Sequence, residues 1–211
     1  MKRPIVVREG WTIISFFIVL TAVAAVVHWS VAIVAGLLSL LSLWFFRDPE
    51  RPIPQGDRLV VAPADGKVMF VREVDEPLFL GGKALQVSIF LSILDVHINR
   101  VPVTGTVGFK RYVPGKFLAA WDATVGEVNE RSYIGIDTGR WHVLVSQVAG
   151  LVARRIITWP SEGDQVTRGN RFGLIRFGSC TQLWLPLGSE LAVKPGDRVA
   201  GGETLIGRLP A

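Results

Sequence analysis

From Trp11 to Phe46 the chain carries no Asp, Glu, Lys or Arg, and this run constrains the fold more than any other feature. At about 1.5 Å rise per residue, a single helix of this length would reach roughly 54 Å, against a bilayer core of about 30 Å. One straight span does not fit. The polar trio His28, Trp29 and Ser30 divides the run into Trp11 to Val27 and Val31 to Phe46, so the expectation is a helical hairpin over residues 1–46, spanning or re-entrant. A secretory signal matches poorly, because its apolar region is about 7–15 residues long and ends at a small-residue cleavage site. Lys2, Arg3 and Arg8 precede the hairpin and Arg47, Arg51 and Arg58 follow it, which by the positive-inside tendency puts both flanks, and the rest of the chain, on the cytoplasmic side of the cell membrane.

Composition agrees with a lipid-associated protein. Hydrophobic residues make up 49% of the 211, and mean hydropathy is +0.39. A net charge of +5 suits an anionic partner such as phospholipid headgroups. The basic residues are scattered without an aromatic-basic array, which argues against nucleic acid. Cys180 is the only cysteine, so an internal disulfide and a cysteine-built zinc site are excluded, and no metal site is expected.

The proline- and charge-rich segment from Arg47 to Asp57 reads as a linker ending at 58, followed by one domain over 59–211. Beyond it, runs rich in Val, Ile, Phe and Leu (67–71, 84–93, 105–112, 131–138, 142–148 and 182–186) alternate with Gly, Pro, Asp and Asn. The pattern predicts a mainly β domain, a barrel or sandwich. Two glycine turns look alike, Ala62-Pro-Ala-Asp-Gly-Lys-Val68 and Val193-Lys-Pro-Gly-Asp-Arg-Val199. The second resembles the turn of biotinyl and lipoyl carrier barrels, so a carrier-like half is expected. The two turns lie too far apart to signal a repeat array.

Polar residues inside apolar surroundings mark three candidate sites. Asp65 sits between Ala64 and Gly66, where a plain turn role is the simplest reading. His97 has Asp95, Asn99 and Arg100 as close neighbours; it is the best general acid or base candidate, with a core histidine as the alternative. Gly178-Ser179 in a strand context is either a bulge or a reactive pair. A Gly-x-Ser-x-Gly elbow is absent, which leaves a lipase-like hydrolase little support.

The segments Phe45-Phe-Arg-Asp-Pro-Glu-Arg51, Pro63-Ala-Asp-Gly66, Leu91-Ser-Ile-Leu-Asp-Val-His-Ile-Asn-Arg-Val-Pro102 and Arg171-Phe-Gly-Leu-Ile-Arg-Phe-Gly-Ser179 together resemble the short bacterial and archaeal form of phosphatidylserine decarboxylase. The resemblance runs from about Arg8 to the C-terminus and implies a proenzyme. Ser179 would attack the Gly178 carbonyl, cutting the chain into a β chain (1–178) and an α chain (179–211) that stay together as a heterodimer, with a higher oligomer left open. Ser179 would become a covalent pyruvoyl group, forming a Schiff base with the serine lipid and accepting electrons as CO₂ leaves. It further implies that Asp65 belongs to the self-cleavage machinery, that His97 serves decarboxylation, and that Asp95 orients the histidine or the serine.

Two departures stand out. Longer family members carry a second histidine where this chain has Arg100, which cannot act as a base. Either His97 serves both steps or Asp65 acts more directly, and Arg100 is a candidate to hold the substrate's carboxylate or phosphate. Cys180 also departs from the Ser, Thr or Arg often found there, and as a buried strand cysteine it is expected to be inert. Lys110, Arg111 and Lys116 read as a solvated basic face or as headgroup contacts. Rival functions are decarboxylation of a related lipid such as archaetidylserine, an unprocessed pseudoenzyme, and a non-enzymatic carrier-like adaptor. The adaptor reading lacks a modifiable lysine motif at a hairpin tip.

Overall fold

The computed structural model describes residues 6–118, 125–151, 155–175 and 179–211. It falls into two compact units, residues 1–50 and 51–211.

In the first unit, a short 3-10 turn (Arg8–Gly10) leads into α1 (Trp11–Val27), followed by α2 (Trp29–Phe45). His28 separates them in extended conformation, φ −158° and ψ 115°, and its Nδ1 lies 2.8 Å from Ser30 Oγ. The break therefore falls on the one polar interruption of the run. Thr21 and Ser39 face each other across the pair at 3.3 Å, and Val7 N–H donates to Phe46 O at 3.1 Å, so the ends of the hairpin meet. Phe16, Val26, Trp29 and Leu40 all point outward. The helical stretch Arg8–Val27 is long and apolar enough to cross a membrane; α2, with 17 residues, is shorter.

The second unit contains fourteen described strands: β1 (Leu59–Val61), β2 (Gly66–Glu76), β3 (Gly82–Leu91), β4 (Ile98–Arg100), β5 (Gly105–Val113), β6 (Arg131–Asp137), β7 (His142–Ala149), β8 (Ile156–Thr158), β9 (Gln165–Val166), β10 (Arg171–Ile175), β11 (Ser179–Pro186), β12 (Glu190–Leu191), β13 (Arg198–Val199) and β14 (Leu205–Arg208), with one helical turn, α3 (Val125–Val128), before β6. Eight strands form an open, half-barrel antiparallel sheet in the order β13-β2-β3-β11-β7-β6-β5-β9. Two three-stranded sheets, β1-β14-β12 and β4-β10-β8, complete the domain. The fold is mainly β as expected, but the large sheet does not close into a barrel. Alternation along the strands sends Val68, Val87, Ile89, Ile134, Val145 and Leu183 into the main core, while Leu144, Tyr133 and Trp184 pack on the other face. Each fully buried Ile or Leu adds about 1.5–3 kcal/mol relative to exposure.

The sheet order reads as a palindrome because the domain is internally duplicated. Gly66 pairs with Val199 and Lys67 with Arg198; in the same way Gly105 pairs with Val166 and Thr106 with Gln165. Val68 N–H donates to Asp197 O and Val107 N–H to Asp164 O, both at 2.9 Å. Gly196 and Gly163 donate to Val68 O and Val107 O, and both strands bulge just after those valines. Across the centre, Val61 N–H donates to Pro102 O and Arg100 N–H to Pro63 O. One half is continuous, β4 to β10. The other, β1 to β3 and β11 to β14, is interrupted by it. The sequence keeps a trace: Pro63, Gly66, Val68, Phe70, Arg72 and Val74 recur as Pro102, Gly105, Val107, Phe109, Arg111 and Val113. The turns at Ala62–Val68 and Val193–Val199 are thus partners within one half and not copies of each other.

Candidate active site

The interrupted half leaves β3 through residues 92–97 and resumes at β11, and Asp95, His97 and Ser179 lie along these segments. Gly178 lies outside the described residues. Ser179 opens β11, directly opposite Leu91 on β3 and Ala149 on β7. Its side chain is fully buried, and its Oγ has no hydrogen-bond partner among the described residues. A buried hydroxyl without a partner costs free energy, so such an atom calls for an explanation.

One residue beyond Leu91 the chain enters the loop holding Asp95. The Asp95 carboxylate is fully engaged: Oδ2 accepts from Ser92 N–H (2.8 Å) and Ser92 Oγ (2.7 Å), and Oδ1 meets Arg198 Nη1 at 3.0 Å. Asp95 orients His97 through its backbone instead, with its carbonyl oxygen 2.9 Å from His97 Nδ1. A carbonyl oxygen only accepts, so Nδ1 carries a proton in this contact. His97 is buried, and its own carbonyl accepts from Ile175 N–H on the strand that leads to residue 178.

Asp65 sits in the turn before β2. Its Oδ1 accepts from Gly201 N–H at 2.7 Å and its Oδ2 from Arg51 Nη2 at 2.7 Å, while Arg51 Nη1 also meets Glu203. Burial nevertheless pushes the Asp65 carboxyl above its ordinary value, outweighing the Gly201 hydrogen bond and the Arg51 charge, and the nearby Asp95 charge adds to the rise. A carboxylate held in this way is a stronger base than a solvated one.

Beneath these groups runs a buried polar chain that sequence reasoning did not identify. Asn99 Nδ2 donates to Thr181 Oγ1 (3.0 Å), Gln147 Nε2 to Asn99 Oδ1 (2.8 Å), and Thr158 Oγ1 to Gln147 Oε1 (2.6 Å). The Asn99–Thr181 bond ties β4, which follows His97, to β11, which begins at Ser179.

The matching sequences fit this arrangement. A family profile described as phosphatidylserine decarboxylase covers residues 38–207. A protein of Symbiobacterium thermophilum is 65% identical over 211 residues, covering 100% of this chain and 98% of its own length. One from Carboxydothermus hydrogenoformans is 44% identical over 211 residues, with 99% of each chain covered, and one from Ehrlichia chaffeensis is 41% identical over 204 residues, covering 96% and 90%. All three are named phosphatidylserine decarboxylase proenzyme. This chain belongs to the phosphatidylserine decarboxylase family.

Within the decarboxylase domain one predicted residue, Arg100, points away from the cluster. Arg100 is buried and donates to Gly169 O at 3.2 Å, and strand alternation puts its side chain on the face opposite Asn99. His142 lies at the other end of β7, half-exposed, 3.9 Å from Asp137. Cys180 faces away from Ser179, against Ser88 Oγ at 3.1 Å. Arg51 and Arg198 had no local signal, because their partners are remote in sequence. Gln147 had one: it is a polar residue in register with the buried Val143 and Val145 on a strand rich in Val and Leu.

Proposed function

We propose that this chain cuts itself between Gly178 and Ser179 and then decarboxylates phosphatidylserine to phosphatidylethanolamine and CO₂ in phospholipid biosynthesis. The observation that carries the reading is the Ser179 hydroxyl, buried and unpartnered at the first residue of β11, in a family whose relatives are named proenzymes.

In the proposed maturation, Ser179 Oγ gives up its proton and attacks the Gly178 carbonyl carbon, and the acyl group moves from nitrogen to oxygen. Loss of the Cα proton breaks the Cβ–Oγ bond and releases the Gly178 carboxylate. The dehydroalanine left at 179 tautomerises, takes up water and releases ammonia, leaving pyruvoyl. Asp65 is our choice of base for the first step, since Arg100 stays protonated and burial raises the Asp65 pKa.

Residue 179 suits a pyruvoyl group, because it is buried at the start of a centrally held strand and has no side-chain hydrogen bond to lose. Such a group supplies a carbonyl that withdraws electrons as carboxylate leaves. His97 holds the proton to be delivered at the carbon losing CO₂, and the Asp95 carbonyl fixes its ring. Asn99 and Gln147 keep β11 in position after the cut. Arg100 braces the Gly169 turn in this scheme and does not hold substrate. The carrier-like character of the half containing Val193–Val199 is taken as shared turn geometry.

The same reading makes residues 1–46 a membrane-anchoring hairpin, 47–58 a linker and 59–211 the catalytic domain, lying on the cytoplasmic face of the cell membrane. The test is conversion of phosphatidylserine in mixed micelles by the purified full-length protein. Phosphatidylethanolamine should appear with wild type and not with His97→Ala. Conversion of archaetidylserine alone would move the substrate assignment to that lipid, and cleaved protein that decarboxylates neither lipid would refute the proposal.

A further inference from the structure

The internal duplication gives the catalytic cluster a counterpart at the other end of the sheet. The strand pairings equate Ser179 with Trp141, Asp65 with Thr104, Leu91 with Thr138 and His97 with Arg58. Those four counterparts line one cavity of about 490 Å³. It lies roughly 25 Å from Ser179 along the β7–β11 pair, taking about 3.3 Å per residue. Its size is in the usual range for small-ligand pockets, about 300–1,000 Å³.

The two ends differ in charge. Around Ser179 the arginines are matched by carboxylates, Arg51 with Asp65 and Glu203, and Arg198 with Asp95. In the counterpart cavity the acid position is occupied by Thr104, and three arginines line the wall: Arg58, Arg140 and Arg168. Arg58 and Arg168 form no ion pair with an Asp or Glu among the described residues. Arg168 is held by the neutral carbonyls of Pro54, Gly56 and Leu59 and Arg58 by that of Leu209, while Arg140 donates to a main-chain oxygen of Ala211, the last residue of the sequence. Asp57 is the one acidic residue in the lining. Arg58 also has φ +59°, the single non-glycine residue in the left-handed region among those described, and such conformations cluster at ligand sites.

We propose that this cavity is a second binding site, for an oxyanion of the phosphate class, formed from the duplicated counterpart of the catalytic cleft. The Arg58 and Arg168 guanidinium groups, held by neutral carbonyls beside the Thr104 hydroxyl, match a phosphate better than a neutral or cationic ligand. Free phosphate and a phospholipid headgroup offer the same chemistry.

The test uses full-length protein in dodecyl maltoside micelles and the ³¹P linewidth of two probes, inorganic phosphate and dihexanoyl-phosphatidylglycerol below its critical micelle concentration. Saturable broadening should occur with at least one probe and weaken at least tenfold in R58Q/R140Q, with self-cleavage and decarboxylation unchanged. R140E alone, on an exposed hairpin, should weaken it as well, and R140K should retain it. Broadening by inorganic phosphate identifies a free-anion site; broadening by the lipid only identifies a headgroup site. No broadening with either probe, or broadening equal in wild type, R58Q/R140Q and R140E, overturns the proposal.

Discussion

Asn99 Nδ2 donates to Thr181 Oγ1 at 3.0 Å, and this bond joins the strand that follows His97 to the strand that begins at Ser179. The two residues stand on opposite sides of the proposed cut, so the bond still ties β11 to β4 once the covalent link is gone. Replacing Asn99 with Leu strands the Thr181 hydroxyl and the Gln147 amide in the interior, at a cost of about 1–3 kcal/mol. The expected result is a lower urea midpoint together with a fall in kcat larger than any change in KM. With Asn99 intact, Thr181→Ser should keep near wild-type turnover where Thr181→Val does not, an outcome that loss of packing alone would not give.

In the proposed maturation Asp65 sets the acid side of self-cleavage. Its folded pKa is raised, chiefly by burial, and the base must be ionised, so the cleavage rate of fresh precursor should fall as pH drops, with its midpoint above the ordinary aspartate value. Arg51 lowers that pKa, so Arg51→Gln should move the acid limb to higher pH. A raised folded pKa means that the fold favours the protonated acid and loses stability as pH rises through it. Asp65→Asn should therefore block cleavage without lowering the melting temperature at pH 7.5.

The Cys180 thiol is fully buried, and burial pushes its pKa up to about 11 despite hydrogen bonds from Ser88 and the Ile89 backbone. Thiolate is the reactive form, so N-ethylmaleimide at pH 8 should leave native protein unmodified and label it fully in guanidinium. Cys180→Ala should still cleave.

Cleavage should not release the small chain. Residues 179–211 place β11 between β3 and β7, β13 against β2, and β14 against β1. The two chains should co-elute in 1 M NaCl and separate only in denaturant. Arg198→Ala removes the ion pair to Asp95 but leaves these ladders, so it should not release the chain.

Much of this architecture was legible in the residues. The hairpin breaks at His28, where the apolar run is interrupted, and the six long strands match runs of β-branched and aromatic residues. The strands of two to four residues carry too little pattern to read. The duplication escaped notice because the turn that resembles Ala62–Val68 to the eye, Val193–Val199, is its hydrogen-bonded partner, whereas the true copy, Val101–Val107, has Thr104 in place of Asp65. Asp65, Asp95, His97 and Ser179 were recognisable as polar islands in apolar surroundings. Asn99 with Gln147, and Arg51 with Asp65, become meaningful only when strands far apart in sequence are brought together.

Intact mass of the purified full-length protein, beside Ser179→Ala, tests the central claim most directly. The account predicts two chains divided after Gly178, with a borohydride-reducible pyruvoyl at the start of the smaller one, and a single uncut chain in the variant. A single 23.1 kDa chain from wild type under native conditions would contradict it.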